Sequence, residues 1–168
     1  LLCVAPARAE APVLLVLGDS LSAGYGIPVE RGWVSLLQRR LAERGYPQRV
    51  VNASISGDTT SGGLSRLPAA LERERPAIII LELGANDGLR GQSPATISDN
   101  LARLIELSQK AGARVLLAEM RIPPNYGPSY TQKFQALFGE LAQRYAIPLL
   151  PFLLEGVAGD PSLTQDDG

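Results

Sequence analysis

Four short polar blocks hold the residues of this chain whose types and spacing could do chemistry: Gly18-Asp19-Ser20-Leu21, Ser56-Gly57-Asp58, Gly84-Ala85-Asn86-Asp87 and Asp166-Asp167-Gly168. A serine on a tight turn at a helix start exposes its hydroxyl, while its own N–H and the positive end of the helix dipole face the same space. Such a hydroxyl can attack a carbonyl carbon while nearby amides hold the oxyanion that forms. On this reading Ser20 is the nucleophile and first oxyanion donor. The Gly57 N–H and the Asn86 side-chain amide are the other two donors, and the fourth block supplies a carboxylate. A serine nucleophile needs a base near neutral pH, and the 168 residues contain no histidine.

Each block also has a plainer reading. Gly18-Asp19-Ser20 is a common strand-to-helix turn in which Asp19 or Ser20 caps the helix. Residues 56–63, crowded with Ser, Thr and Gly, read as a flexible loop that caps the next helix. Gly84-Ala85-Asn86-Asp87-Gly88 reads as a polar turn, and an isolated Asp-Gly is usually a turn as well. The chemical reading rests on the four occurring together and in order, the first three each directly after an apolar run.

Those runs, at 13–17, 49–52, 77–83, 115–119 and 148–152, are short, rich in Val, Ile and Leu, and mostly unalternating, as buried parallel strands are. Between them lie helical stripes: Trp33, Leu36, Leu37 and Leu41; Ile97, Leu101, Leu104, Ile105 and Ser108; Tyr130, Phe134, Leu137, Phe138, Leu141 and Tyr145. A further helix is predicted over 64–75, with Pro68 beginning or kinking it, because proline has no N–H for an interior turn. Gly45 and Gly112 mark helix ends. Strand and helix alternate in one series, so the fold class is α/β, a parallel sheet covered on both faces with right-handed crossovers. Ligands bind beyond the carboxyl ends of such strands, and the first three blocks follow the first three strands.

With 45% hydrophobic and 20% charged residues the chain fits one domain, assigned to 10–168. A net charge of −1, with no clustering of Lys or Arg, leaves no electrostatic footprint for nucleic acid. Residues 1–9 read as the tail of a signal peptide closing in Ala7-Arg8-Ala9, which predicts a periplasmic or secreted protein and, after cleavage before Glu10, one without Cys3. No later apolar run approaches the roughly 20 residues of a membrane span, so no stable membrane insertion is expected. No metal-ligand spacing is present.

The four blocks together resemble the SGNH hydrolase family, the GDSL esterases and lipases. A nearer likeness, to its periplasmic thioesterase and lysophospholipase branch, runs through Val51-Asn52-Ala53-Ser54-Ile55-Ser56-Gly57-Asp58-Thr59, Asn86-Asp87-Gly88-Leu89-Arg90-Gly91 and Pro124-Asn125-Tyr126-Gly127. The resemblance implies a flavodoxin-like three-layer α/β/α sandwich with a central five-stranded parallel sheet. It also implies hydrolysis of acyl esters, thioesters and lysophospholipids through an acyl-serine intermediate, by a monomer without metal or organic cofactor. In that family the fourth block continues as Asp-Gly-x-His and a last helix follows, which implies that Asp167 is the carboxylate orienting the imidazole that deprotonates Ser20. The histidine is therefore expected beyond Gly168, and the chain as it stands is expected to be nearly inert.

Matched to the same branch, Ile122 and Pro123, in the apolar loop 120–126 after the fourth strand, are the expected acyl contacts, with Leu89 on the rim. The plainer alternative is a rigid Pro-rich connection that closes the core. Two rival functions remain open at this point: a carbohydrate O-deacetylase on the same fold, and a non-catalytic, flavodoxin-like binding protein with a phosphate cradled near residues 20–26. Against the second, neither Gly-x-Gly-x-x-Gly nor Gly-x-x-x-x-Gly-Lys-Ser/Thr occurs, and phosphate binding gives no reason for Asn86 and Asp167 to accompany Ser20.

Overall fold

The computed structural model describes residues 10–158, 160, 162 and 163. Strands β1 (Val13–Gly18), β2 (Arg49–Asn52), β3 (Ile78–Glu82), β4 (Arg114–Ala118) and β5 (Leu149–Leu150) form one sheet. All neighbours are parallel, in the order β2-β1-β3-β4-β5. Parallel neighbours need crossovers, and these contain α1 (Ser20–Ala23), α2 (Trp33–Glu43), α3 (Thr60–Glu74), α4 (Ala85–Leu89), α5 (Pro94–Lys110) and α6 (Pro128–Arg144). The chain steps from β1 to one side and then returns past it to β3. The β1/β3 boundary is therefore the switch point, where the loops on either side part and leave a crevice.

Side chains alternate across the sheet and divide the core in two. Leu15, Leu17, Ile79, Leu81, Val115 and Leu117 pack with Leu67 of α3, with Leu101, Leu104 and Ile105 of α5, and with Phe134 and Phe138 of α6. Leu14, Val16 and Ile80 point to the opposite face and pack with Val34, Trp33, Leu37 and Leu41 of α2. The result is the expected α/β/α sandwich, with Phe134 and Phe138 meeting edge to face at 5.5 Å between centroids.

The structure corrects three details. Helix α3 starts at Thr60, four residues before the predicted start, and Pro68 lies in its interior. Its start is set by tertiary partners: the Thr59 hydroxyl accepts from Gly62 N, and the Asp87 carboxylate takes the Thr60 amide. In α2 the buried position is Val34, whereas Leu36 is 47% exposed, so the apolar face is rotated from the predicted stripe. Strand β5 is reduced to two residues. The glycine stops fall where expected, Gly45 and Gly112 both adopting left-handed φ just after α2 and α5.

Phe138 is fully buried at the junction of α6 with the sheet. Phe138→Ala is expected to lower stability by about 3–5 kcal/mol, read as a lower urea midpoint with an unchanged denaturant slope.

Candidate active site

Strand β1 ends at Gly18, and the chain turns into α1 through Asp19, whose carboxylate accepts the Leu21 N–H at 3.0 Å as a helix cap. This cap makes Ser20 the first residue of the helix and leaves it half-buried. Beyond β2 the chain keeps pairing with β1, Ala53 N donating to Val16 O and Ile55 N to Gly18 O. Gly57 is thereby carried to the end of the same strand, at a φ of +79° that an L side chain adopts only under strain.

Asn86 joins these pieces. It lies in the first turn of α4, just past β3, and its Nδ2 donates to Asp19 Oδ2 at 3.1 Å and to the Asp58 carbonyl at 2.9 Å. One amide thus contacts the residue before Ser20 and the residue after Gly57. The Ser20 and Gly57 N–H groups donate to no other described residue. Three amides from three blocks accordingly surround the end of β1, two of them unused.

Charged side chains hold this arrangement from behind. The Arg66 guanidinium, on α3, pairs with the Asp58 carboxylate at 2.6 Å, donates to Ala53 O, and reaches Gly18 O at 3.4 Å. Arg90 donates to Gly57 O at 2.9 Å, and Asn52 to Ser22 O at 2.7 Å. The buried Asp87 carboxylate accepts from Thr60 N at 2.9 Å and Thr60 Oγ1 at 2.6 Å, while Asn100 donates to that hydroxyl. A carboxylate there meets the positive end of the α3 dipole. Beneath Ser20, the buried Glu82 carboxyl accepts from Asp19 N at 3.2 Å and Ser22 Oγ at 2.5 Å. Burial first, and then the charge of Asp19, push Glu82 up to about 8, and burial also raises Asp19.

The expected acyl contacts lie at the end of α4 and in the loop after β4. Leu89, at the end of α4, is exposed, Ile122 is half-buried, and Pro123 is exposed. Ile122 packs over Gly88 beside Phe134, so part of its surface closes the core as the plainer reading had it. Tyr126 donates to Leu89 O at 2.9 Å and Tyr130 to Gln92 O at 2.5 Å, tying the loop after β4 to the end of α4. An apolar cavity of about 620 Å³, lined by Ile78, Ala113, Val115 and Ile147 among others, lies at the opposite, amino end of the strands and is unrelated to these residues.

Ser20, Gly57 and Asn86 are thus neighbours, and Ile122 packs against Gly88 of α4, next in sequence to Leu89. Asp167 and residues 1–9 lie outside the described residues. Sequence reasoning named Asp58 within its block without a role and missed Arg66, Glu82 and Thr60 as supports; of these three Glu82 carried a visible signal, as a carboxylate inside the apolar run 77–83.

Arg66→Met leaves the largely buried Asp58 carboxylate without its cation. A loss of about 1–3 kcal/mol is expected, below the 3–5 of a fully buried pair, checked by urea unfolding.

A model of the GDSL-like Lipase/Acylhydrolase family matches residues 16–168. Esterase TesA of Pseudomonas aeruginosa is 52% identical over 161 residues, covering 96% of this chain and 80% of that protein. Thioesterase 1/protease 1/lysophospholipase L1 of Escherichia coli K12 is 44% identical over 160 residues, covering 95% of this chain and 76% of that protein. A crystal structure of TesA superposes with a TM-score of 0.89 at 52% identity, over 93% of this chain and 87% of that one. No described helix is long and apolar enough to cross a membrane.

Proposed function

Because this chain belongs to the GDSL-like Lipase/Acylhydrolase family, we propose that Ser20 is its nucleophile and that the Ser20 N–H, the Gly57 N–H and the Asn86 side-chain amide form its oxyanion hole. The chain is an SGNH-type hydrolase of esters and thioesters. The observation that carries the residue assignment is the Asn86 amide, in hydrogen-bond contact with both neighbouring blocks.

In this reading Ser20 Oγ attacks the acyl carbonyl and its proton passes to the imidazole base that the family mechanism requires, oriented by Asp167. The carbonyl oxygen becomes an oxyanion. The Ser20 and Gly57 amides take it directly, and Asn86 turns one of its two engaged hydrogens toward it, giving up part of its hold on Asp19 or Asp58. Collapse breaks the bond to the alcohol or thiol, which leaves with the proton returned by the imidazole. Water then attacks the acyl-serine by the same steps in reverse order of partners, releasing the acid and restoring Ser20.

The substrates assigned are aryl and alkyl acyl esters, acyl thioesters and lysophospholipids. The apolar rim of Leu89, Ile122 and Pro123 favours a hydrocarbon acyl chain over the polar cleft that an acetylated sugar would need. A periplasmic or secreted location and action as a monomer complete the proposal, the first resting on the character of residues 1–9.

In the whole protein, Ser20→Ala is expected to abolish hydrolysis of p-nitrophenyl esters and labelling by a fluorophosphonate. Asn86→Ala is expected to lower kcat by about a hundred- to a thousandfold with KM nearly unchanged, the usual loss for one oxyanion donor. Undiminished turnover in either variant removes that residue from the mechanism. Leu89→Ser is expected to raise KM for decanoyl esters by about tenfold and leave acetyl esters unaffected. An equal change for both chain lengths would separate Leu89 from acyl binding.

A further inference from the structure

Glu82 is the last residue of β3 and is fully buried among the strand ends, directly beneath the turn that presents Ser20. No ion pair among the described residues reaches it. Its two oxygens are treated unequally. Oε2 accepts two hydrogen bonds, from Asp19 N at 3.2 Å and from Ser22 Oγ at 2.5 Å, while Oε1 is buried with no hydrogen-bond partner among the described residues. A bare carboxylate oxygen tolerates that isolation poorly, whereas an oxygen that carries its own proton needs only an acceptor. Burial aside, the carboxyl whose charge raises Glu82 is that of Asp19, the residue whose own N–H already binds Oε2. Oε2 then has the environment of the carbonyl oxygen of a neutral acid, and Oε1 that of its hydroxyl.

Asp19 has four tasks in one place. Its backbone N–H binds Glu82, its Oδ1 caps α1 through the Leu21 N–H, its Oδ2 holds the Asn86 amide, and its carbonyl accepts the Ala23 N–H. Every tie between the nucleophile turn and the third oxyanion donor runs through this residue. The close fit extends to Gly18, where a Cβ would overlap Glu82 Oε2 and come within 2.7 Å of Ser22 Oγ.

We propose that Glu82 is a positioning residue of the catalytic turn: as a neutral acid it donates its proton to the Asp19 carboxylate, and Asp19, anchored in this way, holds both the Leu21 and the Asn86 amides beside Ser20. The inference rests on the assignment of Ser20 and Asn86 made above. Ionisation of Glu82 replaces an attraction with the repulsion of two buried carboxylates and loosens the turn. The other charged groups around the pair are matched elsewhere: Asp58, on the loop after β2, by Arg66 of α3, and Asp87 of α4 by the two hydrogen bonds from Thr60. Burial and Asp19 together raise Glu82 from 4.5 to about 8, so the loosening falls in mildly alkaline solution.

Glu82→Gln tests this, because its carbonyl still accepts from Asp19 N and Ser22 Oγ and its amide still donates to Asp19, but it does not titrate. The wild type is expected to show a fall in kcat near pH 8; the variant is expected to keep kcat within about threefold at neutral pH and to lack that fall. Glu82→Leu, which supplies no donor, is expected to lose about a hundredfold in kcat with KM little changed, the scale of an ångström's misplacement. An unchanged alkaline limb in the Gln variant, or full activity in the Leu variant, overturns the proposal.

Stability gives a readout independent of catalysis. With a folded-state value above the unfolded one, the native state binds the extra proton between about 4.5 and 8, so wild-type stability falls as pH rises through that window and levels above it. The thermal midpoint of Glu82→Gln should therefore gain on the wild type from about pH 5 to about pH 8. In the wild type itself, the 13C signal of the Glu82 carboxyl should titrate near 8. Parallel midpoint profiles, or a carboxyl already ionised at pH 6, overturn the proposal even where a variant folds badly. Failure of the fluorophosphonate to label Ser20 in the wild type overturns the nucleophile assignment instead, and the carboxyl titration distinguishes the two failures.

Discussion

The two hydrogens of the Asn86 side-chain amide join three loops that sequence separates widely, one engaging Asp19 after β1 and the other Asp58 after β2. Loops beyond strand ends have no ladder to hold them, and at the switch point of a parallel sheet they diverge. A side-chain amide with two donors is one of the few groups that can bridge two acceptors on different loops while leaving its own carbonyl free. The place of Ser20 relative to Gly57, and hence the space into which a carbonyl would enter, follows from that bridge.

Around it, buried carboxyl groups are kept in the interior by different means. Asp87 accepts from a backbone amide and a hydroxyl at the start of α3, where the helix dipole also favours its charge. Asp58 has the Arg66 guanidinium, which also binds backbone carbonyls at the ends of β1 and β2. Asp19 accepts an amide from its own helix and another from Asn86. No cation among the described residues pairs with Glu82, and in the proposed arrangement its proton takes the place of one. Removing a charge in this set disturbs its neighbour, because the carbonyls and amides concerned are shared.

The apolar framework keeps these ties in register. Strand β1 is buried along its whole length, contacts β2 and β3 on either side, and sends alternate leucines and valines into both halves of the core. Its last residue, Gly18, is where the turn that presents Ser20 begins, so Ser20 stands at the end of a fully buried strand. The rim is built differently. Leu89 and Pro123 are exposed, and their segments are fastened by tyrosine hydroxyls to backbone carbonyls, ties that allow more adjustment than a sheet does.

Much of this was legible in the chain itself. Strand positions followed from Val, Ile and Leu runs, because a parallel strand covered on both faces must be apolar on both sides. Helix ends followed from Gly45 and Gly112, and the candidate Ser20, Gly57 and Asn86 from turn chemistry placed directly after those runs. These are local properties, carried by a residue and its near neighbours. The start of α3 was not local: the residues at 60–63 have poor helical character, and the Asp87 carboxylate, 27 positions away, draws them into the helix. The rotation of α2 that buries Val34 and exposes Leu36 likewise answers to the sheet surface beneath it. The Asn86 bridge, the Arg66 clamp and the proximity of Glu82 to Asp19 depend on which strand ends become neighbours. Sequence alone determined the fold class and proposed the candidate residues, whereas strand order decided their mutual geometry, because hydrogen bonds between distant loops exist only once the sheet has assembled.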